Sequence, residues 1–224
     1  MGNRAVITDT SKQIGVYLHW NGGYDSVSAF CEYARLKGVP APSNDCASDY
    51  AWARFCQIVG NFLGGTGSLG VGLYRRMDKD NGDNGVYIVG ADWKIVKREY
   101  MRGAEQRNYD RAEMLEAIDN AQPEKERLGK AFLTTEAVPV GEIKIGDVVA
   151  YLDPVHETPR FALVKPTKDR FTADIVPGIA LNEKDPDYLS ELDSVKWYGF
   201  RRVTDAEKLA EIRKRGAELE AKAE

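Results

Sequence analysis

The residues in this sequence that are best suited to chemistry lie in one short loop with two adjacent glycines. The segment from His19 to Ser26 reads HWNGGYDS, with an apolar run before it and an amphipathic run after it. This order predicts a strand, a turn and the first turn of a helix, where unpaired backbone amides favour anions. We predict a ligand- or partner-binding site formed by residues of this loop and of the chain's start: Arg4, His19, Trp20, Asn21, Gly22, Gly23, Asp25 and Ser26.

Two functions are compatible with these residue types. In the first, which we favour, the protein binds without catalysis. Arg4 supplies charge, His19 and Trp20 supply ring surfaces, and the partner is another protein or a phosphate-bearing small molecule. In the second, the loop belongs to a nucleotide-binding or nucleotide-processing enzyme, in which the glycines position phosphates and Asp25 assists a metal. A purely structural role is the alternative to both, because a Gly-Gly turn also serves to reverse the chain before a helix.

Other motif-like spacings in the chain do not predict chemistry. The glycines from Gly65 to Gly70 match the dinucleotide fingerprint, but they follow a predicted helix and precede a strand, which is the reverse of the required order. Cys31 lies on the apolar stripe of a predicted helix, as a small buried hydrophobe does. With two histidines, three cysteines and no CxxC pair, the sequence predicts no zinc site, disulfide framework or cofactor.

Composition places the chain among folded proteins. Of its 224 residues, 43% are hydrophobic, and 31 Lys and Arg stand against 35 Asp and Glu. A net charge of -4 gives no general attraction to nucleic acid, although local basic clusters leave such contacts open. No apolar run approaches the roughly 20 residues of a spanning helix, and the start lacks an apolar signal segment. We therefore expect a cytoplasmic protein.

The first half of the chain predicts a sheet beside a pair of helices. Asn3–Thr8 and Gln13–Trp20 read as an antiparallel hairpin, and a helix that Gly38 ends follows the loop. A second helix carries Trp52 and Phe55 on its apolar face. Two Asn-Gly pairs in the loop from Asp78 to Gly85 predict a further hairpin, between a strand that begins at Leu73 and a strand at Val86–Val89; a strand at Lys94–Val96 then brings the sheet to about five strands.

The second half of the chain has a different sequence pattern, in which short alternating runs follow a helix. A helix over Asp110–Ala121 is followed by short alternating runs typical of a small barrel or curled sheet, and Thr204-x-x-Glu207 has the spacing of a capping box before a terminal helix. We predict an α+β fold, with an antiparallel or mixed sheet and a helix pair first and a small β-barrel-like unit afterwards. The expected boundaries are 1–105, a helical bridge at 106–135, a β domain at 136–203 and a helix at 204–224.

The glycine loop resembles the Ser-Gly-Gly-x-Asp-Ser signature of the PP-loop ATP pyrophosphatases. Gly22, Gly23, Asp25 and Ser26 match it, and Asn21 replaces the leading serine. The resemblance implies that the loop cradles the pyrophosphate of ATP. The rest of the chain departs from that family, because strand and helix do not keep alternating after the first helix.

A second resemblance covers about the first 100 residues. The segments GNRAVI, from Gly2, and YLHWNGG, from Tyr17, together with the helix that contains Ala29 and Phe30, resemble a group of uncharacterised proteins of bacterial prophages and mobile elements. The resemblance implies an accessory protein of a mobile element. Small proteins of that kind often inhibit host defence by binding a component or by sequestering a nucleotide signal. The resemblance thus implies an anti-defence role, with a host bacterial protein or a phosphate-bearing small molecule as the partner.

Overall fold

The chain forms two compact units, Met1–Arg127 and Leu128–Glu224. The computed structural model describes residues 2–43, 48–65, 67–102, 105, 107–139, 142–144, 146–153, 157–164 and 199–223. Each unit contains a sheet and helices, which confirms the α+β class. The division differs from the expected one, because the predicted bridge at 106–135 is shared between the two units and is not a unit of its own. In the part of the chain that is described, no helix has the length and apolar character needed to cross a membrane.

The first unit is built on a five-stranded mixed sheet. Its strands are β1 (Ala5–Asp9), β2 (Ile14–Leu18), β3 (Leu69–Leu73), β4 (Val86–Val89) and β5 (Ile95–Glu99), in the order β3-β2-β1-β4-β5. The predicted hairpin of β1 and β2 is confirmed, since the two strands pair antiparallel. β1 pairs parallel with β4, and this pairing makes the sheet mixed.

The hairpin predicted across the two Asn-Gly pairs is wrong. β3 ends at Leu73, a 3₁₀ turn follows at Tyr74–Arg76, and the chain then passes β2 and β1 to reach β4. The Asn81 side chain shapes this crossing, because its Oδ1 accepts from the backbone amides of Asp83 and Gly85, both at 3.2 Å. These Asn-Gly residues therefore build a long connection and not a two-residue turn.

Three helices pack together in the first unit, because the helix predicted for the bridge joins the predicted pair. They are α1 (Tyr24–Leu36), α2 (Ser48–Phe62) and α3 (Arg111–Ala121), and α1 contacts both of the others. The apolar stripe of α1 is buried as predicted, and Gly38 takes the left-handed φ of 67° that lets the chain leave the helix. Cys31 is buried, whereas Cys56 on α2 is only half-buried.

In its described residues, the second unit contains an antiparallel sheet and two helices. Its elements are α4 (Lys130–Leu133), β6 (Glu136–Val138), β7 (Val148–Leu152), β8 (Pro159–Leu163), β9 (Phe200–Arg202) and α5 (Ala206–Ala223). The strand order is β6-β9-β7-β8. One of the short alternating runs that predict strands, at 171–176, lies outside the described residues.

The terminal helix α5 begins with a different cap from the predicted one. Asp205 Oδ1 accepts from the Lys208 amide at 2.8 Å, while the Thr204 hydroxyl donates to Thr134 O at 2.8 Å. Asp205 therefore caps the helix. Gly216 allows α5 to pack closely on β8, because a Cβ there would lie 2.8 Å from Leu163 Cδ2.

Candidate functional site

The glycine loop leaves β2 and opens α1 as predicted, but its glycines are buried. Asn21 takes a left-handed φ of 55°. The Gly22 amide donates to Asn3 O at 2.8 Å, and Gly22 O accepts from the Tyr87 hydroxyl at 2.9 Å. A Cβ on Gly22 would lie 2.6 Å from Asn3 O. Gly22 is therefore required for a close approach of two backbone segments.

The carboxylate of Asp25 occupies the position where an anion was predicted. Its Oδ1 accepts from the Ser26 amide at 2.8 Å. Its Oδ2 accepts from the amides of Asn108 and Tyr109, the latter at 2.7 Å. An internal carboxylate thus engages one amide in the first turn of α1 and two amides of the segment just before α3. The phosphate cradle that the resemblance to the PP-loop signature implies stays a prediction.

Arg4 and Ser26 also have surroundings that differ from the prediction. Arg4 Nε pairs with Asp83 Oδ2 at 2.7 Å. Burial acts to raise the pKa of Asp83, but hydrogen bonds from the side chain and backbone of Arg4 outweigh it and hold that pKa below its usual value. The Ser26 side chain is fully buried, and its Oγ has no hydrogen-bond partner among the described residues. The Ser26 hydroxyl is closed to solvent, whereas Arg4 uses only its Nε in this ion pair and its side chain is 35% exposed.

His19 and Trp20 are the two predicted site residues whose rings face solvent. Both are exposed, Trp20 by 46%, and their rings meet edge to face with centroids 4.9 Å apart. They follow the end of β2 and precede the buried glycines. This aromatic pair is available to a partner.

A cleft of about 340 Å³ lies beside the loop, on the exposed side of α1. Three parts of the first unit form it: α1, the turn between β4 and β5, and the start of α3. Its lining residues are Tyr24, Ser28, Cys31, Glu32, Arg35, Trp93, Lys94, Ile95 and Arg111. None of the eight predicted site residues is among them, although Tyr24 comes from the predicted loop.

The cleft is positively charged, although the chain as a whole is acidic. Arg35, Lys94 and Arg111 face a single lining carboxylate, Glu32, so the lining carries three positive charges and one negative charge. Arg111 Nε donates to Glu32 Oε2 at 2.8 Å, and Arg35 Nη2 lies 3.5 Å from Glu32 Oε1. The hydrogen bond to Glu32 raises the pKa of Arg111. Two guanidinium groups therefore converge on one carboxylate.

The cations of the cleft keep hydrogen-bonding capacity for a ligand. A guanidinium carries five N–H donors, and Arg111 uses its Nε and Nη2 on Glu32. Lys94 pairs with Asp92 at 2.6 Å, but both side chains are largely solvent-exposed, so this pair is weak. An anion entering the cleft can thus recruit donors from Arg111 and Lys94 without first breaking a buried contact.

Local structure fixes the positions of these groups. Asp110 caps α3 by accepting from the Ala112 amide at 2.8 Å. Asp25 on α1 accepts hydrogen bonds from the amides of Asn108 and Tyr109, and these bonds hold the start of α3 beside α1. Trp93 is held in place by two contacts. Its Nε1 donates to Pro40 O at 2.8 Å, and its ring stacks on the Phe55 ring with the ring centroids 4.8 Å apart. The cleft is therefore largely pre-formed.

The thiol of Cys31, which lines the cleft, is not a nucleophile at neutral pH. Complete burial of Cys31 raises the pKa of its thiol far above the usual value, so the thiol stays protonated. No group of three or more His, Cys, Asp or Glu side chains within the described ranges is arranged to hold a metal ion. Besides Glu32, the polar groups of the lining are cations and hydroxyl groups, and with the aromatic rings they are suited to binding an anion.

Comparison with known proteins gives no match to a protein family, to a curated protein or to a solved structure. The function must therefore be inferred from the chemistry of the site.

Proposed function

We propose that this chain is a binding protein whose cleft holds a small phosphate-bearing molecule without converting it. The observation that carries the proposal is the convergence of Arg35 and Arg111 on Glu32, with Lys94 lining the same cleft. Guanidinium groups bind phosphate oxygens in pairs of parallel hydrogen bonds, and a lysine adds a point charge. A phosphate competes with Glu32 for the guanidinium N–H donors of Arg35 and Arg111, which the fold already holds close together.

The size and walls of the cleft favour a nucleotide over a bare phosphate ion. A volume of about 340 Å³ falls within the range of about 300–1,000 Å³ that is usual for small-molecule sites. Tyr24 and Trp93 add aromatic surface beside the cations, and Arg107 lies 4.7 Å over the Tyr24 ring. Sequestering a nucleotide signal is one of the anti-defence roles that the resemblance to mobile-element proteins implies, and the proposal includes that role.

Calorimetric titration with ADP tests the proposal, with adenosine as the uncharged counterpart. We expect ADP to bind and adenosine to bind much more weakly. Lys94→Gln and Arg111→Gln each remove a charged donor, which is worth about 1.5 kcal/mol, and should weaken ADP binding about tenfold. Lys125→Gln is the matched control, because Lys125 is exposed on the same unit and does not line the cleft.

Two results would count against this function. One is the absence of heat from ADP at any concentration, and the other is equal affinity in the Lys94, Arg111 and Lys125 variants. Either result would leave the cleft without a role in binding phosphate.

A second candidate function, binding of a host bacterial protein, is favoured by exposed residues at one end of the first sheet. β2 ends beside the start of β1, and β5 ends beside the start of β4, so Trp20 and Tyr100 follow strands that end on the same side. Trp20, Tyr100 and Met101 are all exposed. Tryptophan, tyrosine and methionine are enriched at protein interfaces. This surface would serve the anti-defence role by holding a host component.

Capture of proteins from a bacterial lysate tests the second candidate. We expect one captured protein to be lost with Trp20→Ser and kept with Tyr50→Ser, since Tyr50 is similarly exposed but lies on α2. Equal capture by both variants would contradict a role for Trp20.

A further inference from the structure

The outer edge of β3 is an unprotected sheet edge. β3 has the sequence LGVGL, stands last in the strand order, and pairs with β2 in an unbroken register over five residue pairs. It contains no charged residue, no proline and no bulge. Val71, at its centre, is 58% exposed. Natural sheets block edges of this kind, because a free edge is a template for another strand.

The opposite edge of the same sheet shows the usual protection. β5 carries Lys97, Arg98 and Glu99 within its five residues, and its register with β4 shifts between Ile88 and Val89. Charges and a bulge both discourage the addition of a strand. Within the residues that the structure describes, one edge of this sheet therefore carries charges and a bulge, and the other carries neither.

The hydrogen bonds of β3 show which of its backbone groups point outward. The His19 amide donates to Ser68 O at 2.8 Å, and the Tyr74 amide donates to Gln13 O at 2.9 Å. In an antiparallel ladder alternate residues face the partner strand, so the even-numbered residues of this stretch face β2. Val71 consequently directs its N–H and C=O away from the sheet. Neither group has a hydrogen-bond partner among the residues that the structure describes.

We propose that β3 pairs antiparallel with β3 of a second copy of this chain, with Val71 opposite Val71 and Leu69 opposite Leu73. In this register both Val71 residues point outward, so each N–H meets the other's C=O. The two sheets become continuous, and the exposed Val71 and Leu73 side chains are covered by their counterparts. This inference does not rest on the proposed function of the cleft.

The charges that flank β3 favour this arrangement over a parallel one. Arg75 and Arg76 follow the strand and are exposed, while Gly64, Gly65 and Gly67 precede it. Antiparallel pairing places each arginine pair beside the glycines of the other copy. Parallel pairing would set the two arginine pairs side by side, where like charges repel.

Sedimentation of the full chain over a range of concentrations tests the proposal. The wild-type protein should approach twice its 25.0 kDa mass as concentration rises. Val71→Lys places two ammonium groups opposite each other and should weaken self-association at least about tenfold. Val96→Lys is the matched control, because Val96 is a valine that is 57% exposed on the protected edge, and it should associate like wild type.

Amide hydrogen exchange of the wild-type protein gives an independent readout that needs no variant. Exchange at Val71 should slow as concentration rises, whereas exchange at Val96 should stay constant. A wild-type mass of 25.0 kDa at every concentration, self-association of Val71→Lys equal to that of wild type, or concentration-independent exchange at Val71 would each overturn the proposal.

Discussion

Gly22 lies in a turn that the sequence predicts, but the structure requires glycine there for a different reason from the predicted one. Two adjacent glycines before a helix are typical of an anion-binding turn, and the turn is present. The requirement for glycine comes from Asn3 and Arg4, whose backbone lies under 3 Å from where a Cβ would stand. No local pattern near Gly22 contains that information, because the contact joins the loop to the start of the chain.

At this position alanine should destabilise the protein. Gly22→Ala forces a Cβ against backbone atoms that have little room to move, and we expect a loss of about 1–3 kcal/mol in the free energy of unfolding. Gly60→Ala is the control, and we expect it to raise the free energy of unfolding. Gly60 lies inside α2, its added Cβ would meet Leu69 Cδ2 at an ordinary 3.7 Å, and the gain should be about 0.5–1 kcal/mol.

Urea unfolding followed by circular dichroism measures both changes at the residue scale. A Gly22→Ala variant as stable as wild type would show that the loop relaxes freely and that the buried approach to Asn3 is not a constraint.

Between elements, Asp25 connects two helices through a single side chain. Its carboxylate lies at the start of α1 and accepts from the amides of Asn108 and Tyr109, just before α3. The bond fixes the segment that leads to Arg111, whose guanidinium reaches Glu32 on α1. Asp25 thus has a role in positioning a cation of the cleft, and its predicted role toward a metal stays a prediction.

Asp25→Ala should free this segment without unfolding the unit. We expect faster amide exchange at Asn108 and Tyr109, because their acceptor is lost. Asp110→Ala, which removes the cap of α3, should instead speed exchange at Ala112 and Glu113. If Asp25→Ala left exchange at Asn108 and Tyr109 unchanged, the connection would not exist in solution.

Local signals predicted several elements well, and non-local pairing explains the failures. The β1–β2 hairpin, α1, α3 and α5 were predicted because periodicity, turn residues and helix stops lie within each segment. The connection from β3 to β4 was not, because Asn-Gly marks a change of direction but not which strands become neighbours. The cap of α5 was displaced by one residue, since Thr204 is engaged by Thr134 across the second unit.

On the scale of the whole molecule, the cleft depends on segments that are distant in sequence. Arg35 ends α1, Lys94 lies in the turn before β5, and Arg111 begins α3. In the sequence each of these residues looks like an ordinary surface cation. Only the packing of α1 against α3 and the sheet brings the three side chains close together. The fold class could therefore be predicted from the sequence, whereas the site could be located only next to the predicted loop.

Amide chemical shifts of the isotope-labelled protein during titration with ADP test the central claim most directly. We predict saturable changes at Ser28, Glu32, Lys94, Ile95 and Arg111, which line the cleft, and none at His19 or Trp20. Changes confined to His19 and Trp20, or no change at any residue of the first unit, would contradict the assignment of the cleft as a site for phosphate-bearing ligands.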